Sequence, residues 1–209
     1  MNNSKFKNQY SKLTVLLYVF FLYPCILFAQ RIEVHPFKDL SNHAIANKAW
    51  GVGAAIDFDN WVKNTTFRAH FDWSMYRKKD NITNPYYQKL CGGISAFYSI
   101  RLSKRILLQC GVDFNYTNLK HTYIFEIDTV NNKPITIQQT GNFIGIGSHI
   151  GVCYEFTPRF SVGLNIIPSY LVPVNQKSSI KRKELEYKKG IWMFPIQLSF
   201  SFKLFNLEQ

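Results

Sequence analysis

The stretch that decides the fold is TTFRAHFDWSMY, residues 65–76, in which side-chain character changes at every position. Successive side chains of a β-strand point to opposite faces, so the alternation predicts a strand with one apolar and one polar face. The apolar face points inward in a soluble protein, whereas the polar face lines the lumen in a membrane barrel. The apolar set is Thr65, Phe67, Ala69, Phe71, Trp73 and Met75, and the polar set is Thr66, Arg68, His70, Asp72, Ser74 and Tyr76.

Alternation of the same kind recurs along the chain and predicts eight strands. Pro168 and Pro195 fall within the last two strands, and since proline has no N–H to donate, we expect a bulge or a strand end beside each. A helical period of useful length is not found after residue 30. The predicted strands are 31–37, 48–58, 65–76, 88–102, 106–117, 144–156, 160–170 and 192–204.

Short and long connections between these strands alternate strictly. Strands joined in this order form an up-and-down meander with all short turns at one end and all long loops at the other. The fold class predicted is therefore all-β, an eight-stranded antiparallel up-and-down barrel. The short connections are 59–63, 103–105 and 157–158, and the long ones are 38–47, 77–87, about 125–140 and about 173–190.

The N-terminus has the layout of a secretory signal peptide. Three lysines precede the apolar run 13–28, and Ala29 follows it. The run is shorter than the roughly 20 residues that a spanning helix needs, and Pro24 interrupts it, so a retained anchor is the weaker interpretation. We predict a cleaved signal peptide over residues 1–29 and a barrel domain over 30–209. The three lysines are Lys5, Lys7 and Lys12.

Three cysteines remain after the leader, and an odd number excludes a fully paired disulfide framework. Cys110 lies in the apolar set of its strand. Cys91 and Cys153 lie on strands two apart in the predicted order, beyond easy reach of a disulfide. We expect all three thiols to be free.

Small residues on the polar faces favour a membrane barrel with a narrow polar lumen. Glycines are what the interior of an eight-stranded barrel can hold, whereas on a solvated face so many of them would weaken the strands. They are Gly51, Gly53, Gly93, Gly111, Gly145, Gly147, Gly151 and Gly163.

The polar faces also carry charges of both signs, which can pair inside a lumen. An unpaired buried charge would cost several kcal/mol, so we predict a lumen polar network whose members pair internally. Its predicted members are Glu33, Asp57, Arg68, His70, Asp72, Lys89, Arg101, Asp113, His149, Glu155 and Lys203.

The apolar faces have the dimensions and the ends that a bilayer requires. Each apolar band is about 9 to 11 residues long, the length of a tilted membrane-spanning strand, although Asn142 and Ser148 are polar residues on this face. An even strand number places both termini on one side, predicted to be the periplasm, with the four long loops outside the cell. Aromatic residues recur near strand ends as interfacial girdles would; they are Trp50, Trp61, Trp73, Tyr86, Tyr116, Tyr170, Trp192 and Phe205.

The segment GIGSHIGVCYEFTPRFSVGLNIIPSY, residues 145–170, resembles a hairpin of small outer-membrane barrels of the PorT-like "outer membrane protein β-barrel" group, which is related in architecture to the OmpA-type transmembrane domain. The resemblance is one of pattern and spans nearly the whole chain after the leader. It implies the barrel fold and a location in the cell outer membrane, and a role as an accessory of a secretion or surface machine is suggested by the resemblance alone. Such barrels often finish on a terminal aromatic residue, whereas here Phe205 is followed by four further residues.

Two sets of residues could carry chemistry. His70, Asp72 and Ser74 share one face of a strand and are the residue types of a hydrolase triad, which would suit a lipid A-modifying hydrolase or acyltransferase. His35, His70 and His149 also face inward and could bind zinc if they converged. A polar structural network explains both sets more simply, so we predict no catalytic site, no metal and no cofactor.

A basic loop marks the outer end of the predicted barrel. Together with Arg77, Lys78 and Lys79 it would form a rim able to bind lipopolysaccharide phosphates or an acidic partner. A solvated loop is the simpler interpretation, and nucleic acid is a poor fit because no reading module is present. The loop cations are Lys177, Lys181, Arg182, Lys183, Lys188 and Lys189.

The sequence thus predicts a monomeric, non-enzymatic integral outer-membrane barrel that contacts outer-membrane lipid and lipopolysaccharide. Its function would lie in extracellular loops, or in protein partners at those loops or at the periplasmic turns. The alternatives are an outer-membrane lipid-modifying enzyme and a soluble lipocalin-like barrel with an apolar ligand cavity.

Overall fold

The computed structural model describes residues 30–41, 48–77, 86–128, 133–178 and 190–204. The predicted signal peptide, most of the basic loop and Phe205 lie outside these residues, as does the side chain of Trp61. Nowhere in the described ranges is there a helix long and apolar enough to cross a membrane.

The described part of the chain contains ten β-strands and almost no other regular structure. They are β1 (Arg31–Lys38), β2 (Trp50–Val62), β3 (Thr65–Arg77), β4 (Tyr86–Arg101), β5 (Ile106–Asp128), β6 (Lys133–Glu155), β7 (Phe160–Ile166), β8 (Ser169–Ser178), β9 (Ile191–Met193) and β10 (Ile196–Lys203).

These strands close into an antiparallel barrel with eight walls, as predicted. β1 to β6 pair in succession, and β1 returns to pair with β10. β7 and β8 pair with successive parts of β6 and form one wall, and β10 and β9 pair with β7 and β8 to form the last. The last two walls are each interrupted at a proline. β7 ends at Ile166 before Pro168, β9 ends at Met193 before Pro195, and a new strand begins after each proline. The prediction of strand ends at the prolines is confirmed.

The long connections predicted at 125–140 and 173–190 were placed wrongly. β5 continues to Asp128 and β6 starts at Lys133, so a hairpin ribbon occupies most of the first interval. β8 likewise continues to Ser178, with Pro173 beside a register shift opposite Phe143. Apolar alternation weakens in these extensions, but β-branched residues and antiparallel pairing that continues past a register shift in each of them sustain the strands.

The side chains are arranged inside out relative to a soluble protein. Phe71 and Ile94 on the outer surface are 55% and 64% exposed, whereas Asp72 and Asp113 inside are 3% and 1% exposed. The soluble lipocalin-like alternative requires apolar residues inside the barrel and is wrong. Ser148 is exposed on the outer face as predicted, and Asn142 is half-buried there because its amide oxygen accepts a 2.6 Å hydrogen bond from Asn118.

The lumen is filled by side chains, and glycines make room for them. A Cβ atom at Gly53 would overlap the side chains of Asp72 and His35, so only glycine allows the strand to approach that pair. At the end of the barrel with the long connections, called here the long-connection end, the filling is apolar and was not predicted. This apolar cluster consists of Ala49, Tyr87, Leu119, Phe143, Leu171, Ile191 and Met193.

Candidate functional site in the barrel lumen

Arg68 is the centre of the polar filling. It projects inward from β3 and is 3% exposed. Its Nε and Nη2 atoms donate to the two oxygens of Asp57 at 2.7 and 2.9 Å. Nη1 and Nη2 donate to the two oxygens of Glu33 at 2.9 and 2.7 Å. One guanidinium therefore binds two carboxylates through paired hydrogen bonds and links three adjacent strands.

Two histidines continue this network away from Arg68. Nε2 of His35 lies 2.7 Å from Asp72 Oδ1, and Nδ1 lies 3.2 Å from Glu33 Oε1. Nε2 of His70 lies 2.9 Å from Asp113 Oδ1, and Nδ1 lies 3.6 Å from Asp72 Oδ2. Nε2 of each ring is hydrogen-bonded to a carboxylate, whereas the buried Nδ1 atoms have a carboxylate oxygen nearby but form no hydrogen bond.

A second ion pair lies nearer the long-connection end. Asp39 is fully buried and accepts hydrogen bonds from Lys89 Nζ and Ser74 Oγ. The Lys89 ammonium also lies 4.7 Å from the centre of the Phe37 ring. Asp39 had been placed in a predicted loop and was missed, although it has the same strand parity as His35 and Phe37 and would have been found by extending the alternation.

The hydrolase triad predicted as an alternative is not assembled. Ser74 donates to Asp39, and the His70 ring lies between Asp113 and Asp72. The interaction between serine and histidine that activates the nucleophile in a triad is replaced by these carboxylate contacts. Ser74 is fully buried and His70 is 9% exposed, so the pair also lacks a path to a bilayer lipid.

The three inward-facing histidines do not converge on a metal site. His149 stacks on Phe97 with ring centroids 4.5 Å apart, and the Arg68 guanidinium lies 5.0 Å from the centre of that same ring. His35 and His70 are engaged with carboxylates instead. Within the described residues, no group of three or more His, Cys, Asp or Glu side chains is arranged to hold a metal ion.

Three residues predicted for the network lie at its edge, at the end of the barrel with the short turns. Arg101 is 56% exposed at its side chain and donates to Glu155 at 3.0 Å, and Lys203 is half-buried. Together with Arg31, which pairs with Asp59 at 3.2 Å, they line an open cup of about 290 Å³. The prediction that Arg101, Glu155 and Lys203 belong to the buried network is corrected, because strand ends bring them to the mouth.

A much smaller cavity lies deeper in the lumen. It has a volume of about 20 Å³ and is bordered by His70, Asp72, Lys89 and Asp113, which is room for about one water molecule. Buried side chains of the Arg68 network and of the apolar cluster occupy the described lumen between the cup and the long-connection end.

The remaining predicted residues include cations of the basic loop, the three cysteines and the aromatic girdle. Of the basic loop, Lys177 is described and is exposed on β8, while Lys181, Arg182, Lys183, Lys188 and Lys189 lie outside the described residues. Cys110 is exposed on the outer face, Cys91 and Cys153 are buried, and all three are free thiols. The aromatic girdle is visible at the long-connection end, where the Trp192 ring lies 5.1 Å from Tyr170 and Lys38 lies over Trp50 at 4.6 Å.

Comparison with known proteins agrees with this architecture at the level of the fold. No protein-family model matches the sequence, and no curated protein sequence matches it. Among solved structures, the chain is similar to Neisserial surface protein A, with a TM-score of 0.57 and 11% identity over 83% of this chain and 96% of that one. It is also similar to a major outer membrane protein from Thermus thermophilus, with a TM-score of 0.52 and 12% identity over 83% and 99% of the two chains.

The closed antiparallel sheet, the apolar outer surface and the polar interior together define a transmembrane β-barrel. Its fold is the eight-stranded fold of outer-membrane barrels, with a lumen occupied by ion pairs and capped at one end by apolar side chains.

Proposed function

We propose that this chain is an integral outer-membrane β-barrel protein, neither an enzyme nor a pore, that acts through the surfaces at its two ends. The observation that carries the proposal is the filled lumen. Arg68 with its two carboxylates crosses the interior near the short turns, and the apolar cluster fills it near the long connections. A barrel that has neither a passage nor an assembled catalytic group can contact other molecules only through its two ends and its outer surface.

The proposal includes the orientation and the contacts predicted from the sequence. Residues 1–29 would be removed on export, and both chain ends would face the periplasm. The long connections would then face outward, where the basic loop with Lys177 contacts lipopolysaccharide phosphates or an acidic partner. A monomer that acts as an accessory of a secretion or surface machine would fit the resemblance to the PorT-like group.

Conductance and gel mobility test the filled barrel. Protein from isolated outer membranes should migrate differently in SDS before and after boiling, and the folded form should give no stable conductance in planar bilayers. A soluble periplasmic protein without a heat-dependent shift would refute the membrane location. Steady ion-conducting steps from folded monomer would refute the closed lumen.

Cysteine labelling in intact cells tests the orientation. The native thiols give low background with a membrane-impermeant maleimide, because two are buried in the lumen and Cys110 faces lipid. Lys177→Cys should label in intact cells, whereas Lys104→Cys in a short turn should label only after the outer membrane is opened. The reverse labelling pattern would show that the barrel has the opposite orientation in the membrane.

A further inference from the structure

The short-turn end carries a concentration of positive charge that the lumen does not use. Each of the three short turns presents exposed cations, and the strand ends beside them add exposed Arg101 and half-buried Arg31 and Lys203. We call this set the basic rim. Its members are Lys63, Lys104, Arg105 and Arg159 in the turns, and Arg31, Arg101 and Lys203 at strand ends.

The carboxylates described at this end are already paired. Asp59 accepts from Arg31 at 3.2 Å and from Thr66 at 2.6 Å, and Glu155 accepts from Arg101 at 3.0 Å. The other five cations of the rim have no carboxylate partner among the described residues. The rim therefore has a net positive charge that is available to an anion outside the chain.

Backbone hydrogen bonds join the turns into one continuous surface. The N–H of Ser99 donates to Asn64, that of Glu155 donates to Arg105, and that of Lys203 donates to Arg159, at 2.8 Å in each case. Each bond ties a turn to the next wall of the barrel. The backbone that carries the turn cations is thus held in place around the cup.

The basic rim lies directly beyond the apolar outer surface. Exposed Val62, Leu102 and Phe156 are followed within three residues by Lys63, Lys104 and Arg159 in their respective turns. The Arg105 guanidinium donates to the hydroxyl of Tyr154, an aromatic residue on the outer face, at 3.3 Å. Cations placed next to aromatic and aliphatic side chains at strand ends lie at the depth of lipid headgroups.

We propose that the basic rim binds the phosphate headgroups of anionic phospholipids in the leaflet at the short-turn end. Ammonium and guanidinium groups are the natural donors to phosphate oxygens. Basic residues near an anionic membrane surface strengthen association by about five-fold each. The contact holds the barrel at a fixed depth, whichever leaflet the short turns face.

Spin-labelled lipids test the assignment directly. The folded protein is reconstituted in phosphatidylcholine vesicles that contain a trace of spin-labelled phosphatidylglycerol or spin-labelled phosphatidylcholine. The fraction of motionally restricted label gives the relative association of each lipid with the barrel. We expect phosphatidylglycerol to be preferred by about five-fold or more at low ionic strength, and equal association of the two lipids would overturn the proposal.

Two matched variants locate the site. Lys63, Lys104 and Arg159 are each replaced by Gln in the rim variant, which should lose most of the preference. Lys38, Lys48 and Lys120 at the other end are each replaced by Gln in the control variant, which should keep it. Heat-dependent gel mobility verifies that both variants are folded. Equal loss in the two variants would overturn the assignment to the rim.

Two further arms separate the lipid from other anions. Inorganic phosphate and chloride at equal ionic strength should weaken the preference equally, and a selective loss in phosphate would mean that the rim binds free phosphate. Folded protein in detergent should not sediment with purified peptidoglycan sacculi in a rim-dependent manner. Rim-dependent sedimentation without any lipid preference would assign the surface to the cell wall and overturn the lipid proposal.

Discussion

Replacement of Arg68 by Met should destabilise the barrel by about 3–5 kcal/mol, because it leaves buried carboxylates without their cation. Met fills a similar volume but donates no hydrogen bond. Asp57 and Glu33 would lose the four hydrogen bonds of 2.7–2.9 Å that the guanidinium provides. Both carboxylates are at most 2% exposed, so water cannot readily replace the lost partner.

The assay is equilibrium unfolding by guanidinium chloride in lipid vesicles, followed by tryptophan fluorescence and by the gel mobility of unboiled samples. Two controls isolate the electrostatic cause. A triple variant with Arg68→Met, Asp57→Asn and Glu33→Gln removes the unpaired charges and should recover most of the lost stability. Arg101→Met breaks an exposed ion pair and should change stability by no more than about 1 kcal/mol. A single variant within about 1 kcal/mol of the wild type, or a triple variant no better than the single one, would refute the reasoning.

Three further outcomes follow from the packing. Gly53→Val should prevent formation of the heat-modifiable barrel, because a side chain there overlaps the buried ion pair beside it, whereas Gly92→Ala should fold since its Cβ meets nothing closer than a carbonyl at 3.9 Å. Phe143→Ala in the apolar cluster should cost about 3–5 kcal/mol in the same unfolding assay, and a smaller cost than for Phe200→Ala on the lipid face would contradict the cluster. A membrane-permeant maleimide should modify Cys110 alone in folded protein, and labelling of the two lumenal cysteines before unfolding would show that the lumen is open.

Strand parity determined much of this architecture in advance. The alternation in residues 65–76 assigns Arg68, His70 and Asp72 to the lumen without any knowledge of pairing, since a one-residue slip would place charges in lipid. The strand ends at Pro168 and Pro195 were predicted for an equally local reason, because proline has no N–H to donate to a neighbouring strand. The face of the sheet to which each side chain of a strand points can therefore be predicted from sequence alone.

Contacts between strands could not be predicted in this way. That Arg68 meets Glu33 and Asp57 together, or that Ser74 meets Asp39 rather than His70, depends on the register of several walls around the closed barrel. The apolar cluster was missed for a different reason. Phe143 and Leu119 have the strand parity of lumen residues. The lumen was predicted to be polar throughout, so apolar side chains inside it were not expected.

The balance of charge gives His35 and His70 a structural role in the lumen. The described lumen buries six carboxylates, whereas Arg68 and Lys89 are the cations buried with them and Arg31 lies at the mouth. His35 and His70 stand where two carboxylates approach each other, and a protonated ring at either place would relieve that repulsion. A metal ion or a catalytic serine would compete with carboxylates for the Nε2 atoms of these rings, which already form hydrogen bonds of 2.7 and 2.9 Å. The titratable groups of the lumen join the walls of the barrel to one another. In the function that we propose, contacts with other molecules are therefore made at the ends of the barrel, including the basic rim.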